Sequence, residues 1–196
     1  MSKQTDKTSQ IVLSTPLSIL SGGGEPICSL ATQPSGAIGV IRVSGEKAIE
    51  VTDKVFHGVR GKHLTDAKGN TLHYGEILDK EGKTIDDVLV SVFRAPHSYT
   101  GENSTEISCH GSAYILNQVV KALIDASCRQ AQPGEYTQRA YMNGKMDLSQ
   151  AEAVADLIAA SNRATHQVAL SQLKGHFSSE LSLLREQLLK MTSLLE

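Results

Sequence analysis

Features that define several specialised protein classes are missing from this sequence of 196 residues. Its three cysteines, Cys28, Cys109 and Cys128, are odd in number and form no CxxC pair, which argues against a disulfide scaffold and a structural zinc site. The net charge of −2 leaves no basic surplus for binding a nucleic-acid backbone. No apolar run approaches the ~20 residues of a membrane span. We therefore expect a cytoplasmic protein with reduced thiols and no membrane segment.

Common catalytic motifs are also missing. No G-x-x-x-x-G-K-[ST] phosphate loop occurs, because Gly144–Lys145 is followed by Met146 and the glycines at 22–24 are followed by Glu25. The sequence contains neither a G-x-S-x-G elbow nor an H-E-x-x-H helix. His97, Cys109 and His110 fit no metal motif. The chain is thus expected to hydrolyse no GTP, to hold no metal and to carry no catalytic residue of its own.

The first 143 residues alternate between strand and helix patterns. Period-two and β-branched runs predict strands at 27–30, 38–43, 72–78, 87–93 and 105–109. Helical spacing and end signals predict helices at 46–57, 111–128 and 133–142, the first with Ser44 as its N-cap and the second with Ile124 on its apolar face. In the last strand, Glu106 and His110 should share one face and Ile107 and Cys109 the other.

The remainder of the chain reads as helix. Ser149 and Glu152 fit a capping box before a helix at 151–160. A single helix of ~50 Å is then predicted for 163–196, with an apolar seam at alternating steps of three and four residues: Leu170, Leu173, Phe177, Leu181, Leu184, Leu188, Met191 and Leu195.

This seam needs a partner, which is either a second copy of the chain or helices encoded further along a longer protein. We favour the longer protein and expect the chain to be its front part, cut off inside the helix. Within the chain alone, the seam should be buried in a neighbouring copy, partly disordered, or folded back onto the helix at 151–160. Residues 1–24 are interpreted as a flexible extension that ends in three glycines.

Three charged residues stand out as candidates for binding a ligand. Arg42 lies inside an apolar strand, where a charge is costly unless it reaches solvent, a carboxylate or a ligand. Glu106 lies in a strand that leads into a helix, where free N–H groups suit an anion, although a simple exposed carboxylate is an alternative. Lys145 lies in a polar loop between helices and could equally be solvated. Three tyrosines could stack on a flat ring, although packing is their more common role: Tyr99, Tyr136 and Tyr141.

Long strings of the sequence resemble the N-terminal part of the MnmE (TrmE) family of tRNA-modification GTPases. The strings are GVIRVSGEKAI (39–49), PHSYTGENSTEISCHGS (96–112) and QPGEYTQRAYMNGKMDLSQAEAVADLIAA (132–160). They follow one another in the order found in the family, and the resemblance covers about Pro26–Glu196.

The resemblance implies an α+β fold, a mixed β-sheet with flanking helices similar to the tetrahydrofolate-binding domain of aminomethyltransferases, followed by an all-α segment. The implied domains are the extension 1–24, a folate-binding and dimerisation domain at 25–143, and the start of a helical domain at 144–196. In the family, GTP, magnesium and potassium belong to a GTPase domain that we expect to lie outside this chain. The chain alone should therefore be inactive.

The resemblance also implies ligands and partners. The family binds 5-formyl-tetrahydrofolate or methylene-tetrahydrofolate, forms a homodimer through its N-terminal domain, and works with the flavoprotein MnmG (GidA) on the wobble uridine of tRNA. Its folate contacts fall on Arg42 in I-R-V-S-G, on Glu106 before x-x-C-H-G and on Lys145 in N-x-K-x-D-L, with Arg139 as a less specific addition.

The roles of these residues differ in how well they are defined. A carboxylate can accept two parallel N–H groups of a pterin edge, which suits Glu106. Arg42 and Lys145 suit the formyl oxygen or the carboxylates of the glutamate tail, in either assignment. Two alternatives to a folate module are a structural or dimerisation module that binds no folate and a self-contained one-carbon transferase. The transferase ranks last, because no acidic residue stands out as its base and a shared fold does not establish function.

Overall fold

The computed structural model describes residues 24–34 and 36–193. The predicted extension up to residue 23, the side chain of Phe177 and the seam residue Leu195 lie outside the described part. Within the described part, the fold is a mixed β-sheet with flanking helices, followed by a helical segment, and the predicted fold class is confirmed. None of the described helices combines the length and apolarity needed to cross a bilayer.

The described strands form one seven-stranded sheet in the order β3-β4-β5-β6-β2-β1-β7. All neighbouring pairs are antiparallel except β1 with β7, which is parallel. The strands are β1 (Ile27–Leu30), β2 (Ile38–Ser44), β3 (Phe56–Gly58), β4 (Thr71–Leu78), β5 (Thr84–Phe93), β6 (Ser104–His110) and β7 (Arg129–Gln130).

The helices divide into two groups, of which the first packs on the sheet and the second follows it in the chain. The sheet-covering helices are α1 (Ala48–Val55) and α2 (Ala113–Asp125). The later helices are α3 (Glu135–Met142), α4 (Leu148–Ala159), α5 (Arg163–Leu173) and α6 (His176–Ser193). A 3-10 turn at Val59–Gly61 follows β3.

The hydrophobic core lies between α1, α2 and one face of the sheet. Ile41 of β2, Val90 of β5 and Ile107 of β6 are buried there against Leu116 and Leu123 of α2. Burying a side chain of this size contributes about 1.5–3 kcal/mol. The predicted alternation along β6 is confirmed, because every second residue points into this core. The opposite face of the sheet, called the outer face below, therefore carries the polar residues of β2 and β6.

Three details of the first helices differ from the predictions. Ser44 is not the N-cap of α1; it ends β2, and its hydroxyl lies 2.6 Å from that of Thr100 and donates to Glu102 at 2.8 Å. The helix begins only at Ala48, after a turn at Gly45. Ile124 is 41% exposed and not part of the apolar face of α2, because it lies at the edge of the buried stripe.

The capping box of α4 lies two residues earlier than predicted. Asp147 accepts a hydrogen bond from the backbone N–H of Gln150, whose side chain accepts one from the N–H of Asp147. The hydrogen bond from Ser178 and that from Gln150 N–H together lower the pKa of the Asp147 carboxyl. Ser149 lies inside the helix, because an Asp at the N-cap fulfils the same role as Ser or Thr.

The predicted single helix over 163–196 is in fact two helices. Gly175 separates α5 from α6 in a left-handed conformation with φ of 76°, which a residue without Cβ adopts at no steric cost. The side-chain amide of Gln150 donates to the carbonyl of Leu173 at 2.8 Å and satisfies one group at the end of α5. The helix α5, which carries Leu170 and Leu173 of the seam, packs against α4. The part of the seam on α6 does not fold back, since the large apolar residues of α6 are exposed: Leu181, Leu183, Leu184, Leu188, Leu189 and Met191.

Gly75 of β4 provides a test of this packing. A Cβ at this position would lie 2.3 Å from the carbonyl oxygen of His57 and 2.6 Å from the ring of Phe56. We expect Gly75→Ala to lower the free energy of unfolding by about 1–3 kcal/mol, because neither neighbour can move without breaking the β3–β4 pair. Urea unfolding measures the change. The control is Gly69→Ala, where a Cβ meets nothing closer than 3.4 Å; equal losses in the two variants would contradict the packing.

Candidate functional site

A row of polar side chains crosses the outer face of the sheet. Strand register places Ser29 of β1 opposite Arg42 of β2, Arg42 opposite Glu106 of β6, and Glu106 opposite Ser91 of β5. Residues directly opposite each other in antiparallel strands lie on the same face with their Cβ atoms about 5 Å apart. Two of the predicted ligand residues are therefore neighbours because of the register alone.

Arg42 and Glu106 form an ion pair in this row. The Nε and NH2 groups of Arg42 donate to the same oxygen of Glu106, Oε1, at 2.9 and 2.7 Å. The side chains are 26% and 30% exposed, so the pair is open to solvent. Oε2 of Glu106 accepts no hydrogen bond from the described residues. A pair of this exposure contributes about 1 kcal/mol or less to stability, and its rearrangement is correspondingly easy.

Two tyrosine rings contact the Arg42 guanidinium. Its central carbon lies 5.0 Å from the centre of the Tyr99 ring and 5.6 Å from that of Tyr136, within the range of cation–π attraction. The hydroxyl of Tyr136 donates to the carbonyl of Arg42 at 2.7 Å. Burial raises the pKa of Tyr136 to about 12, so the hydroxyl stays a donor well into alkaline pH. The hydroxyl of Tyr99 lies 2.9 Å from that of Thr137, so both rings are fixed in place.

An open groove lies beside this cluster. Its lining includes Ser29, Tyr136 and the segment 130–134, and its volume is about 510 Å³. Sites for small molecules commonly have volumes of roughly 300–1,000 Å³. The groove adjoins Arg42 because Ser29 is the cross-strand neighbour of Arg42 and donates to the hydroxyl of Tyr136 at 3.4 Å.

Lys145 reaches the loop that carries Tyr99. Its ammonium group donates to the carbonyl of Pro96 at 3.0 Å, and its stem lies against Gly101. The neighbouring Asn143 donates to the carbonyl of Thr100 at 2.8 Å. Lys145 is thus held against the loop between β5 and β6 and not against Glu106 itself.

Arg139 belongs to a different cluster, formed by buried charges at the start of α3. Its guanidinium donates to both oxygens of Glu102, at 3.3 and 3.2 Å, and to Oε1 of Glu135 at 3.1 Å. A further N–H donates to the carbonyl of Glu25 at 3.2 Å. These hydrogen bonds hold the Arg139 guanidinium against Glu102 and Glu135, and none of its hydrogen bonds in the described structure reaches Arg42 or Glu106.

Glu135 is the centre of this second cluster. Its side chain is 1% exposed, yet Arg129 donates to both of its oxygens, at 2.5 and 3.0 Å, and the N–H of Gln132 donates at 2.8 Å. Burial alone would raise the pKa of Glu135, but the hydrogen bonds from Arg129 and Gln132, with the charges of Arg129 and Arg139, outweigh it and hold the pKa below its usual value. The next residue in the chain is Tyr136, so this cluster fixes the part of α3 that borders Arg42.

The cysteines and histidines take no part in the cluster around Arg42. Cys28, Cys109 and Cys128 are buried free thiols, and burial raises the pKa of Cys109 to about 11. His110 lies on the opposite face of β6 from Cys109, as predicted, and its Nδ1 lies 2.8 Å from Asp86. Within residues 24–34 and 36–193, no group of three or more His, Cys, Asp or Glu side chains is arranged to hold a metal ion.

The structure adds a contact to two predicted residues and two acids that were not predicted. The sequence predicts that Tyr99 and Tyr136 stack on a ligand ring or pack, and both rings lie against the guanidinium of Arg42. Glu135 and Glu102 carried no signal, because an acid in a loop or first helical turn is normally exposed. The one available signal was strand pairing: two charged residues of opposite sign on strands that could neighbour each other.

The cluster around Arg42 has the chemistry to bind a flat, polar ring. It offers a carboxylate with one oxygen that has no hydrogen-bond partner among the described residues, a cation, two aromatic faces and an adjoining groove. A carboxylate accepts two parallel N–H donors from a planar group. The described residues supply no nucleophile activated by a base at this position.

Comparisons with known proteins identify two matching family models. Residues 26–145 match the model described as GTP-binding protein TrmE N-terminus, and residues 148–196 match the MnmE helical domain. The chain is 62% identical over 173 residues to a tRNA modification GTPase MnmE of Bacteroides fragilis, a match covering 88% of this chain and 37% of that protein. The corresponding proteins of Bacteroides thetaiotaomicron and Flavobacterium johnsoniae are 61% and 53% identical, with the same coverage. The chain thus spans a little over a third of these curated relatives.

The buried carboxylate Glu135 provides a test of the second cluster. We expect Glu135→Gln to lower the free energy of unfolding by roughly 3 kcal/mol, because Arg129 and Arg139 lose their buried counter-charge. Since the native pKa lies below the usual value of 4.5, the contribution of Glu135 is present above that pH and is lost as pH falls through the native pKa. Urea unfolding from about pH 6 to about pH 3 should therefore show a steeper loss in the unmodified protein than in the variant.

The exposed Glu46→Gln serves as the control and should change stability by no more than about 0.5 kcal/mol. Equal acid sensitivity of Glu135→Gln and the unmodified protein would contradict the assigned charge state of Glu135.

Proposed function

Because the chain belongs to the MnmE (TrmE) family of tRNA-modification GTPases, we propose that it binds a tetrahydrofolate that carries a one-carbon unit, as 5-formyl- or methylene-tetrahydrofolate. The binding residues are Arg42 and Glu106, with Lys145 at the border of the site. This chain binds the cofactor. In the wider reaction it corresponds to the N-terminal and helical domains of the family's proteins.

The observation that supports folate most strongly is the chemistry of the cluster around Arg42. A pterin ring presents adjacent N–H donors on one edge and two flat faces. Glu106 offers the acceptors for that edge, and Tyr99 and Tyr136 offer aromatic faces beside it. The adjoining groove of about 510 Å³ is large enough for the remainder of a folate. The residues present therefore fit the cofactor.

Two cations are available for the anionic or carbonyl groups of the ligand. Lys145 is exposed, and its one described partner is a neutral carbonyl, so its charge remains uncompensated. The guanidinium of Arg42 could bind such a group if the ligand took its place on Glu106. Arg139 is the least suited of the four predicted residues, because Glu102 and Glu135 already compensate its charge.

The wider role is proposed from the family. The whole protein would use GTP with magnesium and potassium, form a homodimer, work with the flavoprotein MnmG (GidA) in the cytoplasm, and modify the wobble uridine of tRNA. The folate would supply the one-carbon unit.

An alternative function is that of a dimerisation module without folate affinity. It is favoured by an apolar patch on the outer face at β4 and β5, where Leu72, Tyr74 and Leu89 are 60%, 56% and 41% exposed. Tyr74 and Leu89 are direct cross-strand neighbours, so the patch is continuous. Exposed apolar patches of this kind mark contact surfaces between proteins. A chain that binds folate could also form a dimer. Only a measurement of folate binding therefore distinguishes the folate site from the alternative.

Isothermal calorimetry with 5-formyl-tetrahydrofolate tests the folate site. We expect saturable binding to the unmodified chain and a loss of affinity of about tenfold or more in Glu106→Ala, because a hydrogen bond to a charged group is worth about 1.5–3 kcal/mol. Asp87→Ala is the matched control, since Asp87 is an exposed strand carboxylate on β5, one strand away from Glu106. It should leave the affinity unchanged.

The absence of any binding heat at high protein concentration would favour the dimerisation module over the folate site. Unchanged affinity in Glu106→Ala would also count against the proposed binding residue.

Sedimentation equilibrium across protein concentrations tests the apolar patch. We expect a dimer whose dissociation constant rises about tenfold or more in Tyr74→Lys, because a charge replaces an aromatic anchor in the interface. Tyr114→Lys is the matched control, because Tyr114 is 72% exposed on α2, away from the outer face. A monomer at every concentration, or equal effects of the two substitutions, would contradict the proposed interface.

A further inference from the structure

The Arg42 side chain resembles part of the ligand proposed for its own site. Its guanidinium is a planar N–C–N group that donates two N–H bonds to Glu106 and lies against Tyr99 and Tyr136. The 2-amino-4-oxopyrimidine half of a pterin contains the same planar N–C–N group with adjacent N–H donors. The protein thus presents to Glu106, from its own chain, the group that the ring would present.

The two groups cannot use Glu106 in the same way at the same time. Oε1 already accepts both hydrogen bonds from Arg42, at 2.9 and 2.7 Å. A bidentate contact with a ring edge needs one donor on each carboxylate oxygen, and therefore needs Oε1 as well as Oε2. A ring bound at Glu106 would also stack on the faces of Tyr99 and Tyr136, which the Arg42 guanidinium already covers.

The surroundings of Arg42 permit its displacement. The ion pair is open to solvent, and a pair of this exposure is weak. The groove is lined by Ser29, the cross-strand neighbour of Arg42, and by Tyr136, so a displaced Arg42 side chain has open space beside it. The backbone of Arg42 stays fixed in the middle of β2, and its carbonyl is held by Tyr136. The movement is thus confined to the side chain.

We propose that, in the ligand-free protein, Arg42 occupies the recognition site for a planar guanidine-like ring edge, and that such a ligand binds by exchanging places with it on Glu106. This inference rests on the proposed function only for the identity of the ring. Its consequence is that Arg42 competes with the ring: the affinity for the ring alone is reduced by the fraction of molecules in which the pair is closed.

The test is titration of pterin, the bare ring without the glutamate tail, into the unmodified chain and into Arg42→Ala, followed by fluorescence or calorimetry. With the internal competitor removed, we expect pterin to bind Arg42→Ala up to about sixfold more tightly, the gain that corresponds to a closed pair worth about 1 kcal/mol. Arg42→Met, which keeps an unbranched stem without donors, should show the same gain if the alanine variant folds poorly.

Two controls define the cause of the gain. Arg185→Ala removes the same charge from the exposed surface of α6 and should leave pterin affinity unchanged. Combining Glu106→Ala with Arg42→Ala should abolish the gain, because the acceptor is gone. Equal or weaker pterin binding in both Arg42→Ala and Arg42→Met would overturn the exchange.

The proposed function is tested separately in the same experiment. If the unmodified chain binds 5-formyl-tetrahydrofolate and neither Arg42 variant gains affinity for pterin, the exchange is wrong and the folate site stands. If the unmodified chain binds no folate and the Arg42 variants bind pterin more tightly, the exchange stands and the assignment of the cofactor is wrong.

Discussion

The pairing of β2 with β6 is the constraint on which the candidate site depends. Seven successive residue pairs join these two central strands, from Ile38 with His110 to Ser44 with Ser104. Because side chains alternate between faces, a slip of β2 by one residue against β6 would turn Arg42 into the core and Ile41 out of it. The cost of burying that charge and exposing that apolar side chain fixes the register. The same burial that stabilises the fold therefore places the ion pair on the outer face.

The buried cluster around Glu135 holds in place the part of α3 that lies beside the Arg42–Glu106 pair. Glu135 is buried, but four hydrogen bonds from Arg129, Arg139 and the N–H of Gln132 compensate its charge. These bonds tie β7 to the first turn of α3, so Tyr136 meets the backbone of Arg42 at a defined position. The site thus combines a rigid part, the strands and Tyr136, with a solvent-open ion pair whose side chains can rearrange. Such a combination suits a ligand that must enter and leave.

Much of this arrangement could be predicted from the sequence, and the failures have physical reasons. The central strands followed from their alternation, and the family strings pointed to Arg42, Glu106 and Lys145. The short strands β3 and β7 escaped prediction because two or three residues show no period. The break at Gly175 was missed because a leucine seam continues on both sides of it, while the left-handed conformation depends on one residue. The burial of Glu135 was missed because an acid in the first turn of a helix is normally exposed, although its partners Arg129, Gln132 and Arg139 lie nearby in the chain.

Glu106 is proposed to recognise a planar ring edge at a place that Arg42 fills in the free protein. A crystal structure of the chain with bound 5-formyl-tetrahydrofolate tests this most directly. We expect the pterin ring to lie with its N–H edge on both oxygens of Glu106 and a face against Tyr99 or Tyr136, and the Arg42 guanidinium to be turned away from Oε1. A folate bound elsewhere, or one bound here with both Arg42 hydrogen bonds to Glu106 intact, would contradict it.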